Sequence, residues 1–346
     1  MAVFSREVLL REEIDINSNA SVTNGTTNAS KARLNVLKIS QSEKEQILRV
    51  VESCPLNYSV SAFDDFYFSC WKLFPQLPLS LLRKMLELKK GNKTHHLLIK
   101  GLPLPDGIHA TPSSKETVHQ ESTLIARKLL SILVSGLGYI YNFEGKKHFD
   151  FIDDVFPIFK DKNQQIGSNN CFLEWHVEDG FHDAKADFVA LLCLREDPQA
   201  ETYIFEAKDI DLEQSLQQEL QKKQFLIKKD TTFEHDIEHI DENQVCSVLN
   251  GDSDKEIVFD PPFTACLTES AQNAFTELQN SINRNKITVV LEKGDLLIFD
   301  NRRVAHARSN YQPKYDGNDR WLLRCLLLES TWKAREYIFE SAHIIK

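Results

Sequence analysis

The stretch LEWHVEDGFH, residues 173–182, decides more about this protein than any other part of its sequence. If the stretch is extended, His176 and Glu178 project from the same face of a strand, because side chains alternate along a strand. An imidazole beside a carboxylate can supply two ligands of the two-histidine, one-carboxylate set that binds Fe(II). The short pattern is weak by itself, since a surface histidine beside a solvated glutamate has the same spacing. A third ligand from elsewhere in the chain is required.

A second stretch, GDLLIFDNRRVAH at residues 294–306, runs from a turn through an apolar strand to His306. Arg320 and Arg324 then stand in an otherwise apolar strand pattern at residues 319–328. Their four-residue spacing puts both on one strand face, and burying two arginines is costly unless each meets an anion. Because a guanidinium holds a carboxylate with two hydrogen bonds, the pair predicts two carboxylate groups bound side by side. The alternative is that one or both arginines pair with resident Asp or Glu.

Apolar runs bounded by charge, glycine or proline predict the buried strands of a β-rich body. These runs are residues 97–101, 187–194, 287–291, 295–300 and 321–329. Amphipathic segments predict helices at residues 40–51, 79–90, 115–135, 212–226 and 268–283. Ser40 and Glu43 have capping-box spacing at the start of the first helix. The order of elements is typical of an antiparallel β-sandwich with helical excursions.

Composition shifts divide the chain into two regions. Residues 17–31 are almost wholly Asn, Ser, Thr, Ala and Gly, which is typical of a flexible linker. The sequence therefore predicts an N-terminal segment and linker at residues 1–36 and a single domain at residues 37–346. Within that domain we expect helical support at residues 37–135 and a β core at about residues 136–346, interrupted by a polar, acid-rich insertion at about residues 206–256.

The charge balance and the cysteines exclude several classes of protein. The net charge is −10, from 41 basic and 51 acidic residues, which argues against nucleic acid or an anionic membrane as the main partner. The seven cysteines are widely spaced without a CxxC pair, so a disulfide framework and a thiolate zinc site are both disfavoured. No apolar run reaches about 18 residues, and the first residues lack the apolar segment of a signal peptide. We expect a cytoplasmic protein with a small-molecule partner; oligomeric state is not readable.

The set formed by His176, Glu178, His306, Arg320 and Arg324 resembles the clavaminate-synthase-like Fe(II)/2-oxoglutarate oxygenases. The nearest branch is the one that hydroxylates free arginine, asparagine or lysine. Residues 173–182, followed by KADF, are similar to its signature around the first two ligands, and so is the spacing from the distal histidine to the first arginine. The resemblance extends from about residue 95 to the C-terminus. It implies a mainly β fold with flanking helices: a double-stranded β-helix (jelly roll) core, a helical N-terminal region and a lid formed by the insertion.

The resemblance also implies a role for each residue that matches the motif. His176, Glu178 and His306 would bind Fe(II), and Arg320, helped by Thr202, would hold the distal carboxylate of 2-oxoglutarate. The enzyme would use O2 to hydroxylate an unactivated C3 or C4 carbon of a free L-amino acid, with release of succinate and CO2. A substrate attached to a carrier is not distinguished from a free one.

On the substrate side, the resemblance implies that Arg324 holds the α-carboxylate, while Glu178 and Asn142 face the α-amino group. Asp260 would contact the far end of the substrate side chain. The arginine hydroxylases of the family have a second acid two residues earlier, where this chain has Val258. Because a lone carboxylate suits a compact ammonium better than a planar guanidinium, we expect lysine as the substrate first and arginine second.

Two other functions remain open. His235, Glu238 and His239 have the H-x-x-E-H spacing of inverted zinc peptidases, although the polar surroundings favour a solvated segment. A β-sandwich whose iron site is occupied but catalytically inactive would be a binding protein. The presence of both Arg320 and Arg324 argues against this alternative. Two further pairs have simpler interpretations: we expect His95 and His96 at the surface, and Arg302 and Arg303 at the mouth of the site near His306.

Overall fold

The computed structural model of the chain describes residues 34–91, 93–229, 232–233, 245–338 and 341–346. Its α-helices are α1 (Gln41–Glu52), α2 (Phe63–Leu73), α3 (Leu79–Lys90), α4 (Leu124–Val134), α5 (Gln214–Gln221) and α6 (Glu269–Asn285). The predicted capping box starts α1, with the Ser40 N–H donating to Glu43 Oε2 at 2.8 Å. Gly91, at φ +65°, ends α3 in the left-handed conformation that glycine adopts without strain.

Two predicted helices are shorter than their sequence patterns. In place of a helix from residue 115, the chain makes 3₁₀ turns at Lys115–Thr117 and Gln120–Thr123 before α4. The Thr123 hydroxyl closes the second turn by donating to the Gln120 carbonyl at 3.1 Å. The helix predicted at residues 212–226 ends at Gln221, because the apolar residues from Phe225 onward pair with a neighbouring strand instead.

The described chain also forms β-strands. They are β1 (Val36–Lys38), β2 (His96–Lys100), β3 (Tyr139–Phe143), β4 (Asp153–Val155), β5 (Leu173–His176), β6 (Phe188–Arg195), β7 (Thr202–Glu206), β8 (Phe225–Ile227), β9 (Val245–Cys246), β10 (Leu249–Asn250), β11 (Glu256–Ile257), β12 (Thr264–Cys266), β13 (Ile287–Val289), β14 (Leu296–Asp300), β15 (Val304–Arg308), β16 (Trp321–Leu328) and β17 (Ile344–Ile345). All five predicted strands are present.

Two sheets carry the fold. The larger has eight strands in the order β1-β2-β14-β6-β16-β3-β17, with β4 paired to β16; the smaller has four in the order β13-β7-β15-β5. Within them every pair is antiparallel except β1–β2 and β3–β17. Two small sheets, β10-β11 and β12-β8-β9, lie outside these. The architecture is mainly β with helices, as the sequence predicts.

Strand β16 shows how alternation builds the layers. Leu323 and Cys325 pack in one buried cluster with the helices α1 to α4. Leu322 and Leu326 pack in a second cluster with Ile204 of β7, so they face the smaller sheet. A third cluster joins the outer face of the smaller sheet to α5 and α6. Residues on the inward face of β16 therefore point between the two sheets, and Arg324 shares that face.

Contacts group the chain from Ala32 to Lys346 into one unit. The boundary expected at residue 36 stays a prediction. In the part of the chain that the structure describes, no helix is both long and apolar enough to cross a bilayer. All seven cysteines lie in this part and are free thiols, as the sequence predicts.

The prediction that His95 and His96 lie at the surface is wrong, because both are buried. His96 Nδ1 is 2.7 Å from Glu206 Oε1, and its Nε2 accepts the Asn35 N–H at 3.0 Å. The His95 N–H also donates to Glu206, at 2.7 Å. A buried carboxylate at the end of β7 requires such donors, and nothing in the local sequence links Glu206 to residues 110 positions earlier.

Candidate metal centre and substrate cavity

Strands β5 and β15 bring the two histidines of the predicted triad together. The strands pair with His306 opposite His176, and the imidazole centroids are 4.0 Å apart. Glu178 follows β5, and its Oε1 lies 3.9 Å from His176 Nε2 and 3.6 Å from His306 Nε2. One ligand atom from each residue lies within 4.8 Å of the others. The structure therefore gathers the three predicted ligands around one point.

The protonation of the triad suits a divalent cation. His176 Nδ1 lies 2.8 Å from the Glu174 carbonyl; because a carbonyl only accepts, Nδ1 carries the proton and Nε2 presents a lone pair to the site. Burial and the neighbouring His176 lower the pKa of His306 to about 4, which keeps that ring neutral. Burial opposes ionisation of Glu178, but the Arg324 charge and the two histidines hold its pKa well below the usual value.

For His176, protonation competes with metal binding. Burial lowers its pKa, but the bond and charge of Glu178 outweigh burial and raise it. A metal ion must displace any proton on Nε2, so metal affinity falls at low pH.

Asn301 fixes the backbone of the carboxylate ligand. Its Oδ1 accepts the Glu178 N–H at 3.0 Å, and its Nδ2 donates to the carbonyls of Glu178 at 3.1 Å and Ala186 at 3.0 Å. Asn301 is fully buried in the turn after β14. Sequence analysis missed this role, because an asparagine beside two arginines in a turn gives no sign of a partner 123 residues away.

Arg320 is a buried cation of this cavity with one hydrogen-bond partner among the described residues. Its Nη2 donates to Thr202 Oγ1 of β7 at 3.2 Å, and both residues line the cavity beside the triad. Among the described residues it has no carboxylate partner. Burial lowers its pKa, as expected of a guanidinium without an adjacent anion. An anionic ligand is the natural partner for its remaining donors.

Arg324 differs, because it pairs with resident acids. Its Nη1 donates to Glu178 Oε1 at 2.7 Å and its Nη2 to Asp153 Oδ2 at 2.9 Å. For this arginine the alternative that the sequence left open, a pair with resident carboxylates, is what the structure contains. Its Nε, however, is buried without a partner among the described residues, and Arg324 is one of the residues that line the cavity.

A third arginine of the cavity, Arg308, was not predicted. It stands two residues after His306 on β15 and so shares its face. Its guanidinium donates to the carbonyls of Asn169 at 3.0 Å, Cys171 at 2.7 Å and Ser309 at 3.1 Å, and to the Asn169 side chain. Arg308 therefore secures the loop before β5 rather than a ligand. The period-two spacing from His306 was the available signal.

Asp260 lies where the sequence predicts, in the cavity. The N–H of Val177, which lies between His176 and Glu178, donates to the Phe259 carbonyl at 2.9 Å. This bond holds the segment that contains Asp260 against the triad, and the Asp260 charge contributes to raising the pKa of His176.

Asn142 is not brought to the cavity. It is buried on β3, where its Nδ2 donates to the Asp150 carbonyl at 2.6 Å and its Oδ1 accepts the Phe143 N–H at 2.9 Å. It is not among the residues that line the cavity. Because this amide is engaged by backbone groups, the structure gives the predicted contact with a substrate amino group no support.

The insertion at residues 206–256 is divided between two environments. Leu220, Phe225 and Val248 pack with the outer face of the smaller sheet, in the cluster that includes α6. Thr232 lines the cavity, and Phe233 stacks edge-on against Phe143. Only the described part near Thr232 is therefore placed where a lid would act.

The remaining predicted residues lie elsewhere. Arg302 and Arg303 do not line the cavity; both bind Asp300, Arg302 also binds Glu329, and Arg303 also binds Asp254. Because Arg302 and Arg303 form ion pairs with these nearby acids, they do not lie at the mouth of the cavity. The H-x-x-E-H set, His235, Glu238 and His239, lies outside the described residues.

Two facing sheets with a His-Glu-His triad between them and a buried arginine beside a hydroxyl define the class of non-heme iron oxygenases. A model of the family described as "Taurine catabolism dioxygenase TauD, TfdA family" matches residues 128–326. The chain belongs to this family. It is an enzyme that uses Fe(II), 2-oxoglutarate and O2, in agreement with the resemblance seen in the sequence.

Named relatives and solved structures agree with this membership. The L-lysine 3-hydroxylase of Catenulispora acidiphila is 27% identical over 87% of this chain and 86% of its own length. The L-asparagine oxygenase of Streptomyces coelicolor is 31% identical over 69% of this chain and 72% of its own. A crystal structure of an asparagine oxygenase with Fe(II), 3-hydroxyasparagine and succinate superposes with a TM-score of 0.82, at 26% identity, covering 90% of this chain and 98% of that one.

Proposed function

We propose that this enzyme hydroxylates C3 or C4 of a free cationic L-amino acid, lysine first and arginine second. The observation that carries the proposal is that Arg324, whose buried Nε has no partner among the described residues, lines the same cavity as the acidic Asp260. Such a cavity complements a molecule with a carboxylate at one end and a cation at the other. When bound, iron with 2-oxoglutarate and O2 supplies the oxidant that converts C–H to C–OH, with release of succinate and CO2.

The triad and Arg320 would hold the iron and the cosubstrate. His176 and His306 supply neutral nitrogens and Glu178 an ionised oxygen, with the tautomer of His176 fixed by the Glu174 carbonyl. Arg320 and the Thr202 hydroxyl would bind the distal carboxylate of 2-oxoglutarate, which supplies the anion that the buried guanidinium lacks. Asn301 would keep Glu178 in place by its backbone bonds.

The substrate roles follow from the same charges. Arg324 would bind the α-carboxylate through Nε, and Glu178, already held by Arg324 at 2.7 Å, would face the α-amino group. Asn142 has its amide engaged, so the proposal does not depend on it. Asp260 would bind the side-chain cation. Val258, buried and apolar, leaves the segment before Asp260 without a second acid, which favours an ammonium over a guanidinium.

The finer architecture belongs to the same proposal. We infer that the two large sheets are the halves of a double-stranded β-helix, because the triad and both ligand arginines point between them. Residues 37–346 would form the single oxygenase domain, after an N-terminal segment at residues 1–36. The lid would be the part of the insertion around Thr232.

The test is succinate formation from 2-oxoglutarate with Fe(II) and ascorbate, in the presence of each of the twenty L-amino acids, with the product mass recorded. We expect lysine to gain one oxygen atom, with arginine as a weaker substrate. His306→Ala is the matched control and should form no product. Binding of iron and 2-oxoglutarate with no free amino acid oxidised would refute the free-substrate proposal. Zinc-dependent peptide cleavage would favour the rival H-x-x-E-H set.

A further inference from the structure

Lys146 is a cation of the cavity to which neither the triad nor the proposed substrate contacts give a role. It lies three residues after the end of β3, and its Nζ donates to Asp179 Oδ2 at 2.9 Å. The Lys146 side chain is 8% exposed and that of Asp179 is 1% exposed, and both residues line the cavity. Because Asp179 directly follows Glu178 in the chain, this buried ion pair lies beside the carboxylate of the triad.

Two phenylalanine rings help to shield this ion pair from solvent. Lys146 Nζ lies 5.5 Å from the centre of the Phe143 ring and 5.2 Å from that of the Phe233 ring. The Lys146 backbone also forms an antiparallel bridge with Phe233. In such surroundings two opposite charges attract each other more strongly than in water, and burying either charge without the other is costly.

The backbone of Asp179 explains why its side chain needs an anchor. Its φ is +51°, in the left-handed region that residues other than glycine adopt rarely and with strain. Just before it, the Glu178 carbonyl accepts from Asn301 Nδ2 at 3.1 Å. Just after it, the Gly180 N–H donates to the Val177 carbonyl at 3.2 Å. Relaxation of Asp179 to a negative φ would rotate these two peptide groups relative to each other, so one of the bonds would be lost and Glu178 would be displaced.

We propose that Lys146 is a positioning residue for the metal centre: its ion pair holds Asp179 in the left-handed conformation and thereby keeps Glu178 directed at Fe(II). This inference rests on the proposed function, because it takes Glu178 as a ligand of the iron. Removing a partner that orients a metal ligand typically weakens metal affinity by about 10- to 100-fold.

The test measures Fe(II) binding under argon in the presence of 2-oxoglutarate, by competition with a chromogenic chelator. Lys146→Met keeps much of the side-chain length and removes the charge, so we expect the Fe(II) Kd to rise about tenfold or more. Lys146→Arg keeps the charge, and its Kd should stay within about threefold of the parent value. Lys333→Met is the matched control, because Lys333 pairs with the buried Asp187 at 2.6 Å and does not line the cavity. This control should leave the Fe(II) Kd unchanged.

Two double variants separate the backbone role from the loss of a charge partner. Lys146→Met/Asp179→Gly and Lys146→Met/Asp179→Ala both remove the carboxylate that has lost its lysine, but only glycine adopts a positive φ without strain. We expect the glycine variant to recover most of the Fe(II) affinity and the alanine variant to keep a raised Kd. Equal Fe(II) affinities in the two double variants would overturn the proposal. So would a Kd of Lys146→Met within about twofold of the parent value.

The single variants Asp179→Gly and Asp179→Ala make the same comparison if circular dichroism shows that Lys146→Met does not fold. Fe(II) should then bind more tightly to the glycine variant, and equal affinities would contradict the proposal. His306→Ala distinguishes a failure of the proposed function. If this variant binds Fe(II) as tightly as the parent, the triad is not the metal centre and both proposals fail. Loss of Fe(II) binding in His306→Ala, with no change in Lys146→Met, would refute the role of Lys146 alone.

Discussion

Three arginines in one cavity, of which Arg308 and Arg320 are buried and Arg324 is partly exposed, have three kinds of partner. Arg308 is bound by carbonyls and an amide, Arg320 by one hydroxyl, and Arg324 by two carboxylates. A guanidinium that donates to carbonyls holds the backbone of those residues in place, whereas one with unused donors can bind an anionic ligand. Arg324 is paired with Glu178 and Asp153, and under the proposed function it would connect the iron site to the substrate. The family resemblance implied different ligands for Arg320 and Arg324, and the structure shows that their resident partners also differ.

Replacing Arg320 and Arg324 should therefore affect different ligands. Arg320→Ala should raise the Kd of 2-oxoglutarate about a hundredfold, because it removes the cation of a buried charge pair. Arg324→Ala should raise the lysine Kd by a similar factor while changing the 2-oxoglutarate Kd less than about threefold. Calorimetry under argon with Fe(II) present measures both constants. A similar loss of 2-oxoglutarate binding in both variants would contradict the separate roles.

At the scale of elements, the insertion between β7 and α6 is not uniform. Helix α5 and strand β8 contribute to the buried layer beneath α6, through Leu220 and Phe225. The residues at Thr232 and Phe233 instead touch the cavity and strand β3, and the Lys147 N–H donates to the Thr232 carbonyl at 3.0 Å. An element in the core contributes to stability in every ligand state, whereas a segment over the cavity can respond to the substrate.

Hydrogen exchange should show this division. On adding lysine to the enzyme with Fe(II) and 2-oxoglutarate under argon, we expect slower exchange in peptides that contain Thr232 and Phe233. Peptides that cover α5 should be unchanged, since their amides are already protected by packing against α6. Mass spectrometry of exchanged peptides provides the measurement, and norleucine serves as the matched ligand control. Equal protection across the whole insertion would favour the larger lid that the sequence predicted.

At the scale of the whole molecule, the sequence predicted what local patterns determine. Apolar runs predicted the strands and the capping box predicted the start of α1, while the triad of His176, Glu178 and His306 was implied by the resemblance to a known family. Long-range partners could not be predicted, because their reasons lie in tertiary contacts. His96 is buried in contact with Glu206, and the role of Asn301 follows only from its hydrogen bonds to the backbone of Glu178. Asn142 shows the converse: a residue placed by resemblance alone is engaged elsewhere.

The last prediction concerns stability against pH, and it rests on His182. Its Nδ1 accepts the Ala184 N–H at 2.9 Å, and its ring packs against Phe143 and Tyr337. Burial lowers the pKa of His182 from 6.5 to about 4, so the folded protein binds this proton more weakly than the unfolded chain. The free energy of unfolding therefore contains the full contribution of neutral His182 above pH 6.5. This contribution is lost as the pH falls toward 4, by on the order of 3 kcal/mol at most.

His182→Asn keeps an acceptor near the position of Nδ1 and cannot titrate. The variant should therefore flatten the dependence of the unfolding free energy on pH between 6.5 and 4, measured by urea denaturation. An equally steep loss in the variant and the parent would assign acid instability to other groups.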